Sequence, residues 1–409
     1  MRRRDSTGTT YYYERWRAVS SGVIESAATT FLLLIAVRGF QAGPTTKAWV
    51  AAAGNAGLLI TPWVVSWVKK GGWNISRAMS FLAALGALSF LTTALLPFLP
   101  VFTLGSILGM GAASAMIPLL TQMYQENYPK TQRGKLFSRT VIIRIGVAAL
   151  FSQVAGNALS GHMNRAPALL LVFAGAFAFS SFCLSHCPTR PLALSGGVHP
   201  FRAMKYLKED RIFRWTLISW MFMGFGNLMI LPMRVEYLAN PRYGLAFDTA
   251  TIAFLTGVMP NLARMAVNPI WGWLFDHLNF FVLRVILNLG FALGILTFFT
   301  SDTMTGLFVG ALFFGISNAG GDVAWSLWVT KFAAPDRVAD YMALHTFFTG
   351  IRGVAAPMTA FHLATRFSMG TLGLVSTGFI AAASLMLLPE IRFGKRGRRS
   401  SALVEEVSE

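Results

Sequence analysis

Long apolar segments alternate with short polar breaks along nearly the whole chain. Each segment has the length that a helix needs to cross a bilayer, about 20 residues. The apolar runs are too long for strands, so the pattern predicts helices that are buried in lipid and against one another. We predict twelve membrane-spanning helices, at about 18–39, 47–68, 76–96, 98–123, 138–160, 166–186, 213–233, 248–275, 280–300, 304–331, 340–363 and 368–389.

The break between the sixth and seventh predicted spans is the longest one. Within it, Phe201, Met204 and Leu207 recur at helical spacing among lysines and arginines, a pattern typical of an amphipathic helix on a membrane surface. A solvated linker helix fits the pattern equally well. We predict a basic N-terminal tail at 1–17, a six-helix bundle at 18–186, this linker at 187–212, a second six-helix bundle at 213–391 and a basic disordered tail at 392–409.

A short internal repeat relates the two predicted bundles. The interval between Pro62 and Arg77, around the break after the second span, recurs between Pro269 and Arg284 after the eighth. Repeats of this kind are found in transporters built from two similar halves. The predicted fold is therefore all-α and membrane-embedded, with two pseudo-symmetric bundles.

Composition excludes a soluble protein. Hydrophobic residues make up 54% of the chain and charged residues only 13%, against about 25% charged residues in soluble domains. Of the lysines and arginines, 26 lie on the side of the two termini and six on the other side. This bias predicts a multi-pass protein of the cytoplasmic (inner or plasma) membrane with both termini in the cytoplasm. It also explains the net charge of +18 without a nucleic-acid partner.

Polar residues inside the predicted spans are the candidate functional residues. An ionisable side chain there costs about 2.5–3.5 kcal/mol on insertion scales, so each one calls for an explanation. One hypothesis is a central cavity for a solute, with a coupling proton on a carboxylate. The cavity residues would be Asn227, Asn261, Arg264, Asn318, Trp325 and Arg352, and the proton-coupling or charge-pair residues would be Glu25, Arg144, Asp322 and His345.

The alternative is that these charges only pair with one another and lock helices together. Asp322 would then pair with Arg264 or Arg352, and Glu25 with Arg144. Spacing alone does not decide between the two.

Cofactor chemistry finds no support in the sequence. The six histidines are scattered, and two cysteines are too few for a tetrahedral metal site. No phosphate-binding loop lies between a strand and a helix. We expect no metal and no cofactor. The sequence shows no ATP-driven pump domain, so uphill transport would draw on an ion gradient or on the solute's own gradient.

Two loops carry a resemblance to a known family. After the eighth span, where Asp276 and Arg284 are expected at the water boundary, Gly272-Trp273-Leu274-Phe275-Asp276 with Arg284 resembles the Gly-x-x-x-Asp and basic-residue signature of the major facilitator superfamily. After the fourth span, Tyr128-Pro129 and Arg133-Gly134-Lys135 resemble the corresponding family loop. The resemblance implies alternating access, with a conformational latch at Gly272, Asp276, Arg284 and Arg133. The first-half loop, Ser66-Trp67-Val68-Lys69-Lys70, lacks both the Gly and the Asp of this signature.

The sequence therefore predicts a secondary active transporter and not an enzyme. We expect a small solute, anionic or polyhydroxylated because three arginines lie inside spans, with protons and membrane lipids as further partners and a monomeric state. Two alternatives remain open: a non-transporting receptor or scaffold of the same fold, which the degenerate first-half loop would permit, and an integral-membrane lipid transferase.

Overall fold

The computed structural model describes residues 2–129, 132–191, 201–331 and 338–393, and these residues are mainly helical. Eleven of its helical segments are long and apolar enough to cross a membrane. The first ten are α1 Ser6–Gly39, α2 Pro44–Lys70, α3 Ile75–Leu95, α4 Leu99–Asn127, α5 Leu136–Leu159, α6 Met163–Ser185, α7 Arg211–Ala239, α8 Thr249–Phe275, α9 Phe280–Phe299 and α10 Met304–Trp325. The helix α11, Val338–Leu363, is not one of these eleven, but it occupies the place of the eleventh predicted span. The last segment is α12, Met369–Ile391.

The predicted N-terminal tail is helical and continuous with the first span. The helix begins at Arg2, and Thr10 and Glu14 are fully buried. Thr10 Oγ1 accepts a hydrogen bond from Asn127 Nδ2 at 2.9 Å, and Arg17 donates to Glu14 at 2.6 Å. Hydropathy placed the start of the span at about residue 18 because this polar face contacts protein instead of lipid.

The predicted linker helix consists of two short turns, Arg202–Lys205 and Tyr206–Glu209. Tyr206 is buried, and its ring stacks on Tyr341 at 4.9 Å. This apolar side chain therefore faces protein. The remainder of the linker, 192–200, and the predicted disordered tail from residue 394 onward lie outside the described residues.

The chain forms two compact units. Unit 1 contains residues 1–200 and 235–261, and unit 2 contains residues 201–234 and 262–409. The end of α7 and the first half of α8 thus belong to unit 1. The two predicted six-helix domains remain a sequence-based prediction.

Aromatic rings and small residues hold α3, α4 and α6 together in unit 1. Phe90 on α3 is fully buried, stacks on Phe177 at 5.5 Å and meets Phe173 edge-on at 5.9 Å. A Cβ at Gly109 on α4 would lie 2.5 Å from the Phe90 ring. Glycine at this position therefore allows α4 to pack directly on the ring, as small residues commonly do between membrane helices.

Hydrogen bonds between helices secure α12 in unit 2. Ser219 Oγ on α7 donates to the Ala383 carbonyl at 2.9 Å, and Ser376 Oγ on α12 donates to the Gly226 carbonyl at 2.8 Å. Asn288 Nδ2 on α9 donates to Ser384 Oγ at 2.9 Å. Such bonds stabilise helix pairs in an apolar medium by about 0.6 kcal/mol each on average.

The N-terminus of α8 has a carboxylate cap. Asp248 accepts hydrogen bonds from the Ala250 and Thr251 backbone N–H groups at 3.1 and 3.4 Å, and also from the Thr251 hydroxyl. The hydroxyl of Ser160 donates to Asp248 at 3.2 Å. These bonds, that of the Thr251 hydroxyl above all, lower the pKa of Asp248 below its ordinary value.

The cap predicts a stability change in acid. Because the folded-state pKa lies below the unfolded one, the contribution of Asp248 is fully present above about pH 4 and disappears as the pH falls through the folded-state pKa. We expect Asp248→Asn to flatten the fall in Tm between pH 5 and pH 2, and Asp248→Ala to cost about 1 kcal/mol at pH 7. Tm measured against pH tests this; equal slopes for wild type and Asp248→Asn would contradict it.

Candidate functional site

Two of the ion pairs in the described part of the chain are formed by charges that the sequence analysis named inside spans, one pair in each unit. In unit 1, Arg144 Nε on α5 lies 3.0 Å from Glu25 Oε2 on α1. The two side chains are 35% and 19% exposed. Gly22 brings the two helices close, because a Cβ there would lie 2.5 Å from the Arg144 carbonyl oxygen. The predicted pairing of Glu25 with Arg144 is therefore present in this structure.

In unit 2, Arg264 on α8 pairs with Asp322 on α10. Arg264 Nε donates to Asp322 Oδ2 at 2.5 Å. The arginine side chain is 12% exposed and the carboxylate 44% exposed. Of the two arginines that the sequence offered to Asp322, the structure thus selects Arg264. The carboxylate is accessible and the guanidinium is covered.

Arg352 occupies a buried position on α11 within unit 2. It is 5% exposed, and its Nη1 donates to the Trp220 carbonyl on α7. His345, about two turns earlier on the same face of α11, is fully buried with its ring 5.4 Å from the ring of Trp325. Arg352, His345 and Trp325 therefore belong to one aromatic and cationic cluster, away from an exposed surface of the unit.

The three candidate asparagines differ in their surroundings. Asn227 Oδ1 on α7 is buried without a hydrogen-bond partner, which makes it available to a donor group. Asn261 on α8 is 7% exposed and belongs to unit 1. Asn318 on α10 is half-buried. Their role as solute contacts stays a prediction.

The latch residues are only partly described. The side chains of Asp276 and Arg133 lie outside the described residues. A Cβ at Gly272 would meet no other atom within 4 Å. Arg284 was expected at the water boundary, but it is 0% exposed and its Cζ lies 3.2 Å above the ring of Trp220. It lies only one turn into α9, but this turn faces α7 inside unit 2.

One charged cluster was missed by the sequence analysis. Lys47 Nζ at the start of α2 lies 2.5 Å from Glu236 Oε1 on α7, and both side chains are buried within unit 1. Asn240 Nδ2 donates to the same carboxylate oxygen at 2.8 Å. Beside it, Arg38 donates to the carbonyls of Ala239 and Phe247. The available signals were a lysine three residues into an apolar helix and a lone carboxylate in the apolar run after Met233.

Three non-standard helical turns lie in unit 1, and one of them contains Arg38 of this cluster. Turns with π-helical hydrogen bonds occur at Ala27–Phe31 and Ile35–Gly39 on α1 and at Phe254–Val258 on α8. Thr30 and Thr256, one from each helix, share a hydrogen bond of 2.9 Å inside unit 1. Such turns are frequent at functional sites.

Comparison with known proteins identifies the fold. The family model of the Major Facilitator Superfamily matches residues 18–357. Among solved structures, the chain resembles the nucleoside transporter NupG, with 11% identity, coverage of 93% of this chain and 99% of that chain, and a TM-score of 0.76. It also resembles the xylose transporter XylE from E. coli, with 16% identity, coverage of 94% and 95%, and a TM-score of 0.65.

The human organic anion transporter MFSD10 is a third similar structure, with 12% identity, coverage of 94% and 99%, and a TM-score of 0.65. At these identities the likeness concerns the fold alone. No curated protein matches the chain in sequence.

Fold and family together define the class. The protein is a multi-pass helical membrane protein of the secondary-transporter class. The chain belongs to the Major Facilitator Superfamily, because the family model covers most of its length. The predicted fold class and family are thereby confirmed, and the lipid-transferase alternative is wrong, since this is a family of transporters and not of enzymes.

Proposed function

We propose that this transporter moves a small anionic or polyhydroxylated solute by alternating access and that protons drive it. The Arg264–Asp322 pair carries the proposal. A carboxylate inside a span cannot face lipid at low cost. An Asp322 side chain that is 44% exposed is therefore expected to face water, from which it can take up a proton.

Protonation links the two partners. While Asp322 is charged, it holds Arg264 through a hydrogen bond of 2.5 Å. A proton on the carboxylate removes most of this attraction and leaves the positive charge of Arg264 for an anionic or hydroxyl group of the solute. One bound proton would thus favour one bound solute. The Glu25–Arg144 pair in unit 1 likewise joins a carboxylate to an arginine, and it is the second candidate for proton coupling.

Orientation and assembly complete the proposal. The excess of lysine and arginine on the terminal side supports cytoplasmic termini and residence in the cytoplasmic membrane. A monomer is sufficient for this mechanism, since both ion pairs form within one chain.

The test uses proteoliposomes that enclose a pH-sensitive dye. Nucleosides, D-xylose, dipeptides and organic acids are added outside, because transporters of the same fold carry such different solutes. For the transported solute we expect uptake with a change of interior pH. Asp322→Asn should abolish the pH change and solute accumulation while exchange of solute across the membrane persists. Asp302→Asn, an exposed residue between α9 and α10, is the matched control.

Two results would contradict the proposal. Uptake that is independent of an imposed pH gradient and produces no pH change would exclude proton coupling. Transport restricted to a cationic solute would exclude the proposed solute class.

A further inference from the structure

Two buried arginines meet at one tryptophan in unit 2. Arg284 on α9 is 0% exposed, with its guanidinium 3.2 Å above the ring of Trp220 on α7. Arg352 on α11 is 5% exposed and donates from Nη1 to the backbone carbonyl of the same Trp220. Two positive charges from two helices thus lie against one residue of a third.

Neither guanidinium has a counter-charge among the described residues. Nε, Nη1 and Nη2 of Arg284 are all buried without a hydrogen-bond partner, and so is Nε of Arg352. The indole Nε1 of Trp220 has no partner either. By contrast, Arg264 in the same unit is paired with Asp322. Five buried N–H-bearing nitrogens around Trp220 therefore lack an acceptor.

This arrangement is unfavourable without an anion. Arginine stays protonated in proteins, and a buried charge without a counter-charge is strongly unfavourable. Stacking on a tryptophan ring offsets only part of this cost. A water molecule can accept a hydrogen bond but cannot neutralise two charges. The cluster therefore needs a negatively charged partner.

The surrounding residues leave space for the Arg352 guanidinium and supply a further polar group. A Cβ at Gly224 on α7 would overlap the guanidinium of Arg352. Glycine at this position therefore provides the space that the arginine side chain occupies. His345 lies 5.6, 5.4 and 5.2 Å from the rings of Trp220, Trp325 and Trp328. Both of its ring nitrogens are buried without a partner, so it offers a further polar group to a bound ligand.

We propose that Arg284, Arg352 and Trp220 form a binding site for a small oxyanion, a carboxylate or phosphate group, inside unit 2. Planar guanidinium groups present paired N–H donors that match the geometry of such oxygens. The site uses neither Asp322 nor Arg264, so it is independent of the proposed proton coupling. Its oxyanion could be a free ion or the acidic group of the solute, and the two sources are distinguishable.

The test measures Tm and tryptophan fluorescence of the purified full-length protein in lipid nanodiscs. Sodium phosphate and sodium acetate are titrated against sodium chloride at equal ionic strength. We expect a saturating rise in Tm and a fluorescence change with phosphate or acetate. Arg284→Gln and Arg352→Gln should weaken the apparent affinity about 10- to 100-fold, as expected for a lost charged hydrogen-bond donor. Arg77→Gln, at an exposed position in unit 1, should leave it unchanged.

A second variant keeps the test valid if an arginine variant does not fold. Gly224→Ala should displace Arg352 and weaken phosphate or acetate binding. Gly378→Ala on α12, where a Cβ would meet nothing within 4 Å, is its control. Competition between phosphate and an organic acid would assign the site to the acidic group of a solute, and phosphate binding without such competition would assign it to a free ion.

Three results would overturn the proposal. One is the absence of any saturating response to phosphate and acetate. Another is an equal response to chloride, or a response that persists in Arg284→Gln, since either would indicate a general salt effect. The third is a response that arises only in Asp276→Asn, which would show that a carboxylate of the chain itself neutralises the site.

Discussion

Replacing Lys47 by Met should destabilise unit 1 by about 3–5 kcal/mol, because it leaves the Glu236 carboxylate buried without its cation. The two side chains are 9% and 3% exposed, and their charged atoms lie 2.5 Å apart. Oε1 of Glu236 would retain its bond from Asn240 Nδ2, but Oε2 is already buried without a partner. A neutral amide donor cannot balance a buried negative charge.

The double variant Lys47→Met with Glu236→Met should recover most of the lost stability. Two apolar side chains of similar volume remove both charges, and such replacements of buried ion pairs are often neutral or stabilising. Reversible unfolding in denaturant, followed for both single variants and the double variant, gives the coupling between the two residues. Lys70→Met, at the exposed far end of the same helix, is the matched control. A Lys47→Met loss as small as that of Lys70→Met would mean that the pair is hydrated.

Hydropathy was sufficient to locate the helices, because a segment that crosses lipid must be apolar over its whole length. The span predicted at 280–300 is observed as Phe280–Phe299, and the one predicted at 166–186 as Met163–Ser185. Backbone hydrogen bonds must be satisfied inside each segment, so an apolar run of this length has few alternatives to a helix. The same reasoning fails at the start of α1, where Glu14 and Arg17 are helical but contact Tyr124 and not lipid.

Pairing between helices could be predicted only in part. Glu25 and Arg144 were named as partners in the alternative that charges inside spans pair with one another, and the ion pair is present. For Asp322 the sequence left two arginines open, since both lie near the middle of their spans. The choice of Arg264 depends on which faces of α8 and α10 meet, and helical spacing along one chain does not contain that information.

Two residues near helix ends, Arg284 and Lys47, were wrongly predicted to be exposed to water. Arg284 follows a polar break, and Lys47 lies three residues inside a helix, so hydropathy placed both at a water boundary. Both are buried against another helix, Arg284 on Trp220 and Lys47 on Glu236. Distance from a helix end gives depth, but contact with protein depends on the helix face. The anion site and the Lys47 cluster could therefore not be predicted from the sequence.

Replacing Gly57 by Ala should separate α2 from α4 and is expected to cost about 1–3 kcal/mol, the usual range for overpacking. A Cβ on Gly57 would lie 2.7 Å from both the Cα and the carbonyl carbon of Gly111, and closer still to the carbonyl oxygen. Backbone atoms cannot move aside as the end of a flexible side chain can, so we expect the upper part of this range.

The reciprocal variant, Gly111→Ala, is the control for the same contact. A Cβ there would lie no closer than 3.7 Å to any atom of Ala53 or Gly57, which is ordinary van der Waals contact. Alanine also favours a helix over glycine by about 1 kcal/mol, so we expect no loss of stability and a small gain. Denaturant unfolding of both variants therefore separates close backbone packing from helix propensity. Equal losses of stability in Gly57→Ala and Gly111→Ala would mean that the close contact of a Cβ at Gly57 with the Gly111 backbone is not the cause.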